Sequence, residues 1–138
     1  MITVIPDINP VPIPYGSLDF YQLHFIVKCG DTDVDKFLAK CDTVTTGWLN
    51  NKRIIGIKWT GASSFIDLLQ NDIQLTGMLM EILPFEGQIR IDPVNDQVRI
   101  YGKWHNDYET RFSHRFTDVV DRIAMHIKTS LADGKIPE

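Results

Sequence analysis

The densest concentration of chemically capable side chains in this chain is the run Trp104-His105-Asn106-Asp107-Tyr108, continuing to Arg111, His114 and Arg115. The imidazoles and Asp107 are of the types that take up or release a proton near neutral pH, and guanidinium groups beside the N–H groups of a helix start favour an anion. The same mixture of aromatic and arginine side chains suits a protein interface. A purely architectural reading is also open. Asn106 and Glu109 have the spacing of a capping box, with Trp104 filling the core and Tyr108 covering it.

A second feature is a basic stripe. Arg111, Arg115, Arg122 and His126 fall within about 60° of one another on a helical wheel. Asp118 lies three residues after Arg115 and four before Arg122, so an intrahelical ion-pair ladder stands against docking of an acidic partner as its explanation.

Other chemistries lack their residues. Gly30, Gly47, Gly56 and Gly61 are isolated and form no phosphate-cradling loop. His105, Asp107 and His114 are the clustered metal candidates, but no histidine pair has one-turn spacing on a helix, so neither a metal nor a cofactor is expected. Neither Cys29 nor Cys41 has a histidine near it in sequence. Carboxylate pairs such as Asp33 with Asp35, or Asp118 with Asp121, read as solvated helix surface. No residue is assigned a catalytic role on this basis.

The elements that must position these groups start from the final helix, predicted from Tyr108 to about Leu131. Phe112, Phe116, Val119, Val120, Ile123, Ile127 and Leu131 fall in an arc roughly 120° wide, and Asp133-Gly134 supplies a stop. Upstream, Gln88–Asp92 and Gln97–Trp104 form a hairpin whose register can be argued. With Asn95-Asp96 as the central turn residues, Asp92 faces Arg99, Ile91 faces Ile100, and Pro93 sits where its missing N–H costs nothing. Ile89, Ile91, Val98, Ile100 and Trp104 are then the inner face.

The earlier chain predicts a strand over Leu18–Lys28, with Tyr21, Leu23, Phe25 and Val27 inward and His24 on the polar side. A helix follows near Asp33–Asp42, with Val34, Phe37, Leu38 and Cys41 as its apolar face and Cys41 a buried, inert thiol. The β-branched run Thr43–Thr46 pairs across Asn50-Asn51 with Arg53–Trp59. A short helix over Ser64–Gln70, capped by Ser63, turns Phe65, Leu68 and Leu69 inward, and Ile73–Leu83 reads as a strand ended by Pro84. Together these make one α+β domain over residues 17–138. It is a mostly antiparallel sheet of five or six strands, with the long C-terminal helix across one face and two short helices.

Residues 1–16 stand apart as an extended, Pro-rich apolar arm. Pro6, Pro10, Pro12 and Pro14 forbid a helix and favour polyproline II or an edge strand. Ile5, Ile8, Val11, Ile13 and Tyr15 make it too apolar for a solvated tail. The arm packs along its own domain, or docks on a neighbouring copy or another protein.

A composition of 43% hydrophobic and 23% charged residues excludes a wholly disordered chain. The net charge of −4 argues against nonspecific nucleic-acid binding. No apolar run is long enough to cross a membrane, and two cysteines are too few for a disulfide framework, so a soluble cytoplasmic protein is expected. The functional expectation is a non-catalytic interaction or assembly protein, a subunit, adaptor or inhibitor, with a protein partner or a homo-oligomer. Arms of this kind recur in assembly proteins of phages, which is analogy alone. The alternative is a small enzyme or ligand-binding domain with a pocket between sheet and final helix, using His105, Asp107 or His114.

Overall fold

Alternating apolar residues build the middle of one antiparallel sheet, in which Phe25, Val27, Ile89, Ile91, Val98 and Ile100 are buried on a single face. The computed structural model describes residues 2–13, 16–30, 33–106 and 114–133. The strands are β1 (Ile2–Ile13), β2 (Gly16–Lys28), β3 (Ala39–Thr46), β4 (Arg53–Gly61), β5 (Gln88–Val94), β6 (Gln97–Tyr101) and the short β7 (His105–Asn106). The helices are α1 (Ser63–Gln70), α2 (Ile73–Glu86) and α3 (His114–Asp133). Strand order is β1-β2-β6-β5-β3-β4, with β7 pairing β2. The three helices share one core with the inward face of the sheet. α3 lies over β2, α2 over β3, β4 and β5, and α1 over β4.

The β5–β6 hairpin has the register that charge and proline placement require. Asp92 faces Arg99, Ile91 faces Ile100 and Pro93 faces Val98. Asn95 adopts φ 58°, the left-handed conformation asparagine tolerates in a tight turn. In α3, Phe116, Val119, Val120, Ile123 and Ile127 are all buried, as their spacing demands. Phe112, Glu109 and Gly134 lie outside the described residues.

Two elements differ from expectation in type. The helix expected over Asp33–Asp42 is only a 3-10 turn, Asp35–Phe37, followed directly by β3. Phe37, Ala39 and Cys41 are buried at every second position while Leu38 is exposed, so period two wins over the helical spacing. Cys41 is a buried thiol as expected, reached from a strand instead of a helix, and burial pushes its pKa up to about 12.

The strand expected over Ile73–Leu83 is instead α2. Asp72 caps it, accepting the Leu75 N–H at 3.0 Å. Leu75, Leu79, Ile82 and Leu83 form its buried stripe. Gly87, at φ 73°, closes it through its N–H to the Leu83 carbonyl at 2.7 Å. Pro84 sits in the last turn, where it removes one hydrogen bond without stopping the helix. In α1, Leu68 is exposed and Ile66 takes the expected inward place.

The arm's main chain is paired within its own sheet. β1 matches β2 from Ile2↔Val27 to Ile13↔Gly16 without interruption. Pro6, Pro10 and Pro12 share one parity along this edge strand, so their missing N–H groups all face one side. Only the open side tolerates three absent donors, and there they blunt the edge against further strands.

Candidate functional site

The junction after β6 is shaped by one extra residue. Tyr101 pairs with His24 and His105 with Tyr21, so three residues, Gly102 to Trp104, oppose two on β2. Gln22 fills the irregularity by donating to the Gly102 carbonyl at 2.8 Å. The extra residue breaks the in–out alternation. Trp104 therefore leaves the inner face expected for it and is 37% exposed.

His105 is held in β7, its Nε2 3.1 Å from Oε2 of Glu86 at the end of α2. Asn106, expected to cap the final helix, is a strand residue opposite Phe20. Asp107, Tyr108 and Arg111 lie outside the described residues. His114 and Arg115 are exposed at the start of α3 as described.

The basic stripe of α3 meets carboxylates of α2, a neighbour that sequence spacing does not reveal. Arg115 Nη1 lies 3.4 Å from Glu81 Oε2, both largely exposed. About two turns along, Arg122 Nε donates to Asp72 Oδ2 at 2.6 Å, and His126 Nε2 lies 2.7 Å from the same oxygen. The Asp72 side chain is 5% exposed. Burial pushes its carboxyl up, but the bonds from Arg122, His126 and the Leu75 N–H outweigh that and hold it well below the usual carboxylate range. The cluster clamps the start of α2 to α3, so its geometry is that of a structural clasp.

On the other side of the sheet, the helix-free face carries a polar ladder. His24 stacks on Tyr101 with ring centroids 4.3 Å apart and meets Gln22 Oε1 at 2.6 Å. Tyr101 donates its hydroxyl to Asp92. Burial first, and then that bond, pushes its phenol up to about 12. Arg90 Nε donates to Gln88 Oε1 at 2.7 Å, and Gln88 Nε2 donates to Asp42 Oδ1 at 2.6 Å.

The arm residues are placed by register. Ile5 stands opposite His24, Ile8 opposite Tyr21, Val11 opposite Leu18 and Ile13 opposite Gly16. Tyr15 lies outside the described residues. On its other side β2 is paired by β6 over His24–Lys28 and by β7 at Phe20 and Tyr21. Among the described residues, the four pairs from Pro10↔Asp19 to Ile13↔Gly16 thus form a two-stranded ribbon beyond the body of the sheet.

At the opposite edge the expected hairpin of Thr43–Thr46 with Arg53–Trp59 is present as β3–β4, but sequence reasoning singled out none of its exposed side chains. The β3–β4 connection carries Trp48, 83% exposed, and β4 carries Ile55, 62% exposed. Gly47 makes the connection with φ 98°, and a Cβ there would strike the Asn51 carbonyl. Beside it Thr46, Gly47, Asn50, Asn51, Lys52 and Arg53 line an open concavity of about 610 Å³. The available signal was Trp48 itself, a large aromatic inside a turn-forming stretch.

Among the described residues no three His, Cys, Asp or Glu side chains converge as metal ligands, and no helix is long and apolar enough to cross a membrane. No family model, curated protein or solved structure matches the chain.

Proposed function

We propose that this chain is a non-catalytic interaction or assembly subunit that docks on a protein partner, or on a second copy, through the outer end of the β1–β2 hairpin. The observation that carries this reading is the ribbon of four residue pairs running, among the described residues, past the last partners of β2. An isolated two-stranded ribbon is marginal in water, and this one carries Val11, Pro12, Ile13 and Leu18 in its sequence. Burial against a partner would remove apolar surface at roughly 25 cal/mol per Å². The alternative, an enzyme with a pocket between sheet and final helix, has less support. Phe116, Val119, Val120, Ile123 and Ile127 occupy that space as tightly buried core.

Deleting the arm would strip an edge strand from the chain's own sheet, so the decisive variants change the ribbon alone. Val11→Asp and Leu18→Asp, a facing pair, should leave the melting temperature near that of the parent. They should also abolish concentration-dependent association in sedimentation, or binding to the isolated partner. Unchanged association by both variants sinks the reading.

A further inference from the structure

We propose that the free edge of β4 binds an acidic, extended polypeptide segment as an added strand. β4 ends the sheet, and among the described residues only β3 pairs with it. Alternate residues of an edge strand turn N–H and C=O groups to solvent, and Arg53–Gly61 contains no proline to remove a donor. The far edge differs, because Pro6, Pro10 and Pro12 remove three N–H donors from β1.

The side chains along this edge define the partner. Lys52, Arg53 and Lys58 are exposed and, among the described residues, have no carboxylate partner. Asp42, directly across from Lys58, is already engaged by Gln88 at 2.6 Å and Lys40 at 3.6 Å. Arg53 and Lys58 are five residues apart, a spacing that sends strand side chains to opposite faces. The β-bulge between Val44 and Thr45 corrects this, because Arg53 faces Thr46 while Lys58 faces Asp42, only four positions away on β3. Both cations therefore stand on the helix-free face, about 13 Å apart at strand rise.

Midway between them Gly56 faces Val44, and a Cβ at Gly56 would meet nothing within 4 Å. The edge thus offers cation, open slot over a half-exposed valine, and cation. Its complement is a strand with acidic residues at i and i+4 and a small apolar residue at i+2. A second copy pairing through the same edge would bring cations against cations, which disfavours β4–β4 association. An acidic strand also gains backbone hydrogen bonds from β4, the usual source of affinity in strand addition.

The probe is an acetylated and amidated peptide, Thr-Glu-Thr-Val-Thr-Glu-Thr, titrated into the full chain and followed by calorimetry and amide exchange. Binding with new protection of β4 amides is expected. The double variant Arg53→Glu with Lys58→Glu should weaken it by roughly tenfold or more and should gain affinity for the counterpart peptide carrying Lys in place of Glu. Gly56→Val fits the open space and raises strand propensity, so it should keep the melting temperature while losing the peptide. Equal binding of both peptides to the parent chain, or no binding of the acidic one, overturns the proposal. So does a single-stranded oligonucleotide that outcompetes the acidic peptide, because the cations would then serve phosphate. Self-association of the parent chain that Gly56→Val abolishes also overturns it, in favour of a second copy at this edge.

Discussion

Asp72 and Asp92 sit on opposite sides of the same sheet, and each gathers its partners in a different way. Asp72, on the helical side, receives the Leu75 N–H, Arg122 and His126 from two elements and is almost wholly withdrawn from water. Asp92, on the helix-free face, receives the Tyr101 hydroxyl and faces Arg99 across a hairpin that turn geometry already holds together. The first carboxylate joins segments remote in sequence, whereas the second decorates a local pairing. Burial and reach, more than the number of partners, decide how much of the fold depends on each.

That contrast gives an ordered set of outcomes. Asp72→Ala should have the largest effect, about 3 kcal/mol in urea unfolding, because a helix cap and two charge-assisted bonds vanish together. A loss under about 1 kcal/mol would place Asp72 in the same class as Asp92. The carboxyl is held below its usual range, so its stabilisation is complete above the unfolded value near ~4 and disappears as pH falls through the lower folded value. The gap in stability between the parent chain and Asp72→Asn should therefore persist through mild acid and close only in strong acid. A gap that closes above about pH 5 would contradict the clasp.

Tyr101→Phe should cost less, about 1 kcal/mol. Because the phenol is pushed up to about 12, its share of stability is present below about pH 10 and is lost as pH rises through the folded value. Ultraviolet titration of the four tyrosines should show a late fraction that the Phe variant lacks. Smallest is the Asp92–Arg99 pair, where exchanging both charges should restore most of a single-reversal loss of under about 1 kcal/mol. Simple additivity would mean that the two side chains do not couple despite their register.

Legibility in the sequence follows the same division between local and remote. The β5–β6 register was readable because Pro93, Asn95 and the arginines at 90 and 99 impose constraints within a dozen residues. The core stripe of α3 was readable because one helix face carries it. α2 was not, because Ile73 and Phe85 add exposed apolar residues outside its buried stripe, and an all-round apolar run resembles a buried strand. Misreading α2 hid the clasp as well, since Asp72 has no role until a helix starts after it. Arg53 and Lys58 were hidden differently: counting residues puts them on opposite faces, and only the bulge brings them together.

The pairing of β2 with β6 also sets a timetable for synthesis. Phe25 meets Ile100, about 75 residues later in the chain. At ~5–20 residues per second, the β1–β2 hairpin spends several seconds outside the ribosome before its neighbour exists. Throughout that interval β2 presents an unpaired edge to every other nascent chain, whereas β1 presents prolines. The three prolines therefore leave the β1–β2 hairpin with one adhesive edge instead of two, and that edge is the one β6 later covers.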